Sequence, residues 1–272
     1  MRRLVIALCA LAAPSAAAAL QPTALLYERT VMAAADARCR LFTPDLGAAL
    51  EAARLQARGA SLRAGASDRQ LAEVEGRARS RAAAVPCASE DLSTAASRVR
   101  TAFRGWRGLN RMEFEGAERV WVAERALDAQ ARWSLRQDAR GGEARAVLGI
   151  AGWRGGRAPA AAVEGEATGA RLVMRHVIRT PRPATSGAPE SRAGRDLSFA
   201  AIARGPAGPG LRPSRPEATV FRFPAEAETA LSRLDARETV LVEFTGADGR
   251  VRTAWFEVGD FAAGQAFLAA AR

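Results

Sequence analysis

His176 is the one histidine in the chain, so a Ser/His/Asp triad would have to use it as base. No Gly-x-Ser-x-Gly turn leads into a helix, and His176 reads as a strand-surface side chain. Zinc asks for three or four nitrogen and sulfur ligands, more than this histidine and two pairing cysteines supply. Carboxylates offer another chemistry. Glu113 and Glu115 lie two apart, as do Glu164 and Glu166, and on strands each pair would share a face. Two facing carboxylates are the equipment of a glycoside hydrolase. Arg111 and Arg119 flank the first pair at a helix-to-strand junction, and the second falls in a Gly/Ala-rich loop. The expectation is surface ion pairing, with glycan hydrolysis through Glu113 and Glu115 as the enzymatic alternative. Asp248 is accounted for by a turn. No calcium-loop pattern occurs, and the expectation is no metal and no cofactor.

The most distinctive stretch is Phe103 to Phe114, which interleaves Arg104, Arg107 and Arg111 with Trp106 and both phenylalanines. Aromatics among arginines can stack on sugars or bases and hold phosphates. The same residues also suit a helix C-terminus, with arginine near the negative end of the dipole and glycine ending the turn. In that second reading Phe103, Trp106, Leu109 and Phe114 plug the junction between two halves of the protein. The second reading is favoured, and Arg104, Arg107, Arg111 and Trp106 stand as a candidate anion-binding set.

Those residues need an address. Arg2 and Arg3 precede the apolar run Leu4 to Leu11, and small residues follow from Pro14 to Ala19. This is the pattern of a cleaved secretory signal over residues 1–19. The run is shorter than the roughly 20 residues that span a bilayer. A periplasmic or extracellular protein is expected, where thiols oxidise. Its partner would be an envelope protein or an anionic envelope polymer, and no nucleic acid is expected. The formal net charge is +11, carried by 40 basic residues that are all arginine. Arginine suits bidentate contact with phosphate and carboxylate. Here the arginines are dispersed among acids, which marks a solvated surface.

Cys39 and Cys87 remain after signal cleavage and should pair with each other. The hydrophobic fraction of 49% supports real cores, although much of it is alanine. Helical spacing is expected over Tyr27 to Leu41. Thr43-Pro44-Asp45 reads as the start of a second helix running to about Arg63. Ser67 to Gln70 has capping-box spacing and opens a third helix to about Ala84. Pro86 breaks it, and Ser89 caps a fourth carrying Leu92, Ala95, Val99 and Phe103. The disulfide then closes a helical bundle over residues 20–108.

Beyond it, residues 109–272 read as a mostly antiparallel β domain. Expected strands are Glu118 to Val122, Ala131 to Arg136, Ala146 to Ile150, Arg171 to Ile178 and Leu197 to Ile202. Thr180 to Arg195 and Gly205 to Pro216 read as loops. Ala218 to Phe223 is a strand and Ala225 to about Ala236 a helix. Glu238 to Phe244 and Val251 to Val258 flank an Asp248-Gly249 turn, the signature of a hairpin. Asp260 can cap a closing helix with Phe261, Ala262, Phe267 and Leu268. The fold class is α+β: a disulfide-closed helical bundle, then a mostly antiparallel β domain with a C-terminal helix.

The last 55 or so residues run strand, helix, strand, Asp-Gly turn, strand, then Val258 to Leu268 with Gly259-Asp260-Phe261-Ala262-Ala263. This order resembles the end of the invasion-associated locus B type of secreted bacterial protein, where a hairpin precedes a Gly-Phe-x-x-Ala helix. Here Asp260 stands between the glycine and the phenylalanine. The resemblance implies a secreted β-rich domain and brings no catalytic motif. The sequence therefore points to a non-enzymatic binding or interaction protein of the envelope. Its alternatives are the carboxylate hydrolase and an anionic glycan or lipid binder using the arginine-rich surface.

Overall fold

Pro22 fixes the first turn of helix α1 (Pro22–Cys39), one helical turn earlier than its apolar spacing indicates. A computed structural model describes residues 21–125, 132–153, 156–174, 196–214 and 217–269, without the side chains of Arg107 and Trp153. The leader, His176 and the expected Thr180 to Arg195 loop lie outside the described residues. Helices α2 (Pro44–Arg63), α3 (Asp68–Ala84) and α4 (Glu90–Ala102) begin where their punctuation says. Ser67 and Gln70 form the reciprocal capping box, and the Ser89 hydroxyl accepts from the Leu92 N–H. Helix α2 is the middle layer. Leu50 joins Met32, Ala35, Ala82, Leu92 and Ala96, while Ala57 and Leu62 join Leu26 and Leu71. On its other side Ala49 and Ala52 enter the core of the β half. A helix buried on both sides needs small residues, which is one use for the alanine-rich composition.

The Cys39–Cys87 disulfide forms, with Cα atoms 5.5 Å apart across a separation of 48 residues. It ties the last residue of α1 to the turn between α3 and α4. Next to it, the Arg38 guanidinium donates to the carbonyls of Ala82, Ala83 and Val85. One side chain thus satisfies carbonyls that the end of α3 would otherwise leave unpaired.

The β half is two antiparallel sheets face to face. The larger takes β1 (Arg111–Glu115), β2 (Val120–Glu124), β3 (Trp133–Asp138), β5 (Ala146–Trp153), β6 (Gly156–Glu164), β10 (Ala218–Arg222) and β9 (Ala203–Pro206), in that order. The smaller runs β4 (Gly141–Gly142), β12 (Val251–Glu257), β11 (Thr239–Thr245), β7 (Gly169–Met174) and β8 (Leu197–Ala200). Between them lie Phe114, Trp121, Leu135, Leu148, Val163 and Phe221 from one sheet, and Leu172, Val242, Phe244 and Phe256 from the other. Phe221 and Phe244 meet at 6.0 Å between ring centroids. Helix α6 (Phe261–Ala269) adds Phe261 and Phe267 to the same core, Phe261 standing 4.9 Å from Trp121. Its neighbour across the junction is α2.

Several expectations need correction. The Gly/Ala-rich loop expected around Glu164 and Glu166 is preceded by a central strand, Gly156 to Glu164, buried continuously from Ala158 to Val163. Its outer face belongs to a second cluster of Trp133, Val147, Ala160, Ala162 and Val220. Ala207 and Leu211 join that cluster from the segment after β9. Glu164 therefore ends a strand. Arg111 to Glu115 forms β1 rather than a junction, and β9 occupies the start of the expected Gly205 to Pro216 loop. Helix α5 (Ala225–Leu231) stops short of Ala236. Asp235 instead accepts from the Arg237 N–H in a turn.

Candidate functional site

The stretch from Phe103 to Phe114 is part of the junction. Trp106 is buried edge-on against Phe267, 5.3 Å between centroids. The Arg125 guanidinium lies 3.8 Å from the Trp106 centroid and 3.6 Å from that of Phe267. It donates to the carbonyls of Phe267 at 2.9 Å and Trp106 at 3.3 Å. Burial pulls the Arg125 guanidinium below its ordinary pKa, against the charge of Asp45. Phe103 and Phe114 pack in the same core, whereas Leu109 is exposed. Arg111 spends its charge on Glu113 at 2.7 Å and Glu124 at 3.1 Å. Arg104 is exposed, and the Arg107 side chain lies outside the described residues. The candidate set is thus split: its aromatic is internal and Arg111 is neutralised by neighbours. Glu113 and Glu115 share the exposed face of β1, as alternation requires, with Glu113 held by Arg111.

A second constellation occupies a cleft of about 310 Å³ between α2, α3, the turn at 232–236 and the start of α6. Asp260 does not cap α6 with its carboxylate. Its two oxygens accept from Arg63 of α2 at 2.8 and 3.0 Å. Burial raises the Asp260 carboxyl above its ordinary range. Arg63 offsets part of this, and Glu115 adds to it. Gly59 makes the approach possible, since a Cβ there would stand 1.9 Å from Asp260 Oδ1. Around the cleft Arg54 meets Glu51 and Glu75, and Arg58 meets Asp68 at 2.9 Å and Glu75 at 3.6 Å. Arg237 meets Asp235 at 2.6 Å and Asp68 at 3.6 Å. This alternating chain of charge joins the helices to the β half, and each of its arginines meets at least one carboxylate.

The third site is the mouth of the sandwich. Arg204 of β9 stands opposite Phe221 of β10, so both point to the inner face. Thr219 and Glu217 share that parity, one and two steps beyond the last core phenylalanine. The Arg204 Nη1 donates to the carbonyl of Ala167 and Arg212 Nε to that of Ala207, each at 3.3 Å. Together with Glu166 and Thr168 these residues line a cavity of about 580 Å³. Gly165, Glu166 and Ala247 continue it into a second groove of about 740 Å³ along the β11–β12 turn, where Arg250 and Arg252 lie. Arg204 and Arg212 sit in stretches that the sequence presents as ordinary Gly/Pro/Arg-rich connection, and no local signal separates them from their neighbours.

Among the described residues no group of three or more His, Cys, Asp or Glu side chains is arranged to hold a metal ion. No family model, curated protein or solved structure matches the chain.

Proposed function

We propose that this chain is a periplasmic or extracellular binding protein of the bacterial envelope, acting by recognition rather than turnover. The observation that carries the reading is the open groove at the sandwich mouth, where loops from both sheets converge on Arg204 and Arg212. Sandwich domains present partners to loops gathered at one end of a rigid core. The Cys39–Cys87 disulfide fits an oxidising compartment. No described helix is long and apolar enough to cross a membrane. The leader-like residues 1–19 and the C-terminal likeness to secreted invasion-associated proteins support the same address.

The test is capture from an envelope fraction with tagged protein lacking residues 1–19, washed at low and then high salt. A discrete envelope component retained stoichiometrically, and lost when the groove arginines are replaced, is the expected result. Hydrolysis of cell-wall material by the pure protein, abolished by Glu113→Gln or Glu115→Gln, would replace this reading with the hydrolase.

A further inference from the structure

The chemistry of the mouth narrows what it can take. Its volume of about 580 Å³ falls within the range of small-ligand sites. One wall carries Arg204 and Arg212, each anchored through a single bond to a backbone carbonyl. A guanidinium has five N–H donors, so each keeps donors for a ligand in a position already fixed by the protein. The opposing charges are Glu166 and Glu217, exposed at the rim. Thr168 and Thr219 add hydroxyls whose protons go to backbone carbonyls, leaving oxygens able to accept. The remaining lining is small: Gly165, Ala167, Gly205, Ala207 and Ala247.

Two cations and two carboxylates make the lining close to neutral. A dense polyanion such as nucleic acid would be repelled by Glu166 and Glu217 as it was drawn by the arginines. A neutral sugar would leave the arginines without a partner for their charge. A ligand with one anionic group and several hydroxyls answers both: its anion meets the guanidiniums, and its hydroxyls donate to the carboxylates and threonines. From this we infer that the mouth is a binding site for an acidic sugar, with Arg204 and Arg212 holding the anionic group and Glu166 and Glu217 receiving ring hydroxyls. This rests on reading the groove as the binding surface and adds the ligand class to it. The continuing groove past Ala247 gives a longer glycan room to run along the β11–β12 turn.

The probe is glucuronate, titrated calorimetrically into the full chain, with glucose and acetate as controls. Glucuronate should bind at least about tenfold more tightly than either control, because each supplies half of the recognition. Arg204→Gln and Arg212→Gln should each weaken glucuronate about tenfold, the worth of a charged hydrogen bond. Glu217→Ala should reduce the preference for glucuronate over acetate, because glucuronate loses a hydroxyl acceptor while acetate, relieved of a repelling carboxylate, binds at least as well. All three side chains are exposed, so thermal unfolding should stay at the wild-type midpoint and separate a binding role from a structural one. Equal binding of acetate and glucuronate overturns the proposal. So does undiminished binding by the Arg204/Arg212 double variant, or no saturation by about 10 mM. An envelope partner captured normally by a protein that ignores glucuronate would remove this inference and leave the binding-protein reading standing. Glucuronate binding without any captured partner would leave the ligand class and the groove standing and remove only the envelope partner.

Discussion

Gly59 shows how a single residue can carry a sign opposite to its propensity. Inside a helix, glycine to alanine ordinarily gains about 1 kcal/mol. At position 59 the new methyl would collide with Asp260 Oδ1 and press on Arg63. Gly59→Ala should therefore destabilise, by about 1–2 kcal/mol of overpacking, while the same change in an Asp260→Ala background should stabilise by about 1 kcal/mol. Urea midpoints of the four proteins in that cycle decide it. Asp260 itself titrates against the usual acid trend. Its folded pKa is raised, so the native state takes up a proton before the unfolded chain does as pH falls. Stability from this group is present at low pH and lost as pH rises through the raised value. Arg63→Ala removes its counter-charge and should cost about 3 kcal/mol near neutrality. That deficit should shrink as pH is lowered through the raised range in which Asp260 accepts its proton. A deficit independent of pH would mean that Arg63 acts by packing alone. Asp235 has the opposite sign. Burial would raise it, but bonds and charge from Arg237, with Arg58, hold it below the ordinary range. Its contribution is present above about pH 4 and lost below.

Elements with local punctuation were the legible ones. Pro44, the Ser67–Gln70 box and Ser89 carry their helix starts within a few neighbouring atoms, and α2 to α4 lie where those residues put them. The Asp248-Gly249 turn fixes the β11–β12 hairpin in the same way, with Gly249 at φ +77°. Strand β6 was illegible because its burial is tertiary. Ala158 to Val163 contains Pro159 and four alanines, which have little β preference of their own, and they become a strand by lying between β5 and β10 with apolar cover on both faces. The sites were hidden for a related reason. Arg63 and Asp260 are 197 residues apart, whereas Trp106, read as a plug of the junction, is one, buried against Phe267 and Arg125. The disulfide, by contrast, followed from counting thiols. Its loop of 48 residues predicts that Cys39→Ala/Cys87→Ala loses about 4 kcal/mol in the chain-entropy account. Equal urea midpoints for oxidised and reduced protein would contradict that.

Across the whole molecule, the helical and β halves share one hydrophobic cluster. Ala49 and Ala52 of α2 belong with Phe114, Trp121 and Phe267, and the Arg63–Asp260 pair crosses the same seam. Heating should therefore give one transition, with calorimetric and van't Hoff enthalpies equal. Two resolved transitions, the disulfide intact, would mean the halves melt independently.

The order of the smaller sheet has a bearing on time. Strands β11 and β12 are late in the chain, yet they lie between β4 and β7, and α6 arrives later still with two of the core's phenylalanines. A chain emerging N-terminus first can finish its disulfide-bonded helices early. It must then carry the inner edges of β4 and β7 unpaired until its last stretch is free. Such long-range pairing is slow, and open strand edges are where chains cling to one another. The interval between the emergence of β7 and of β12 is thus when this protein most needs a chaperone's company.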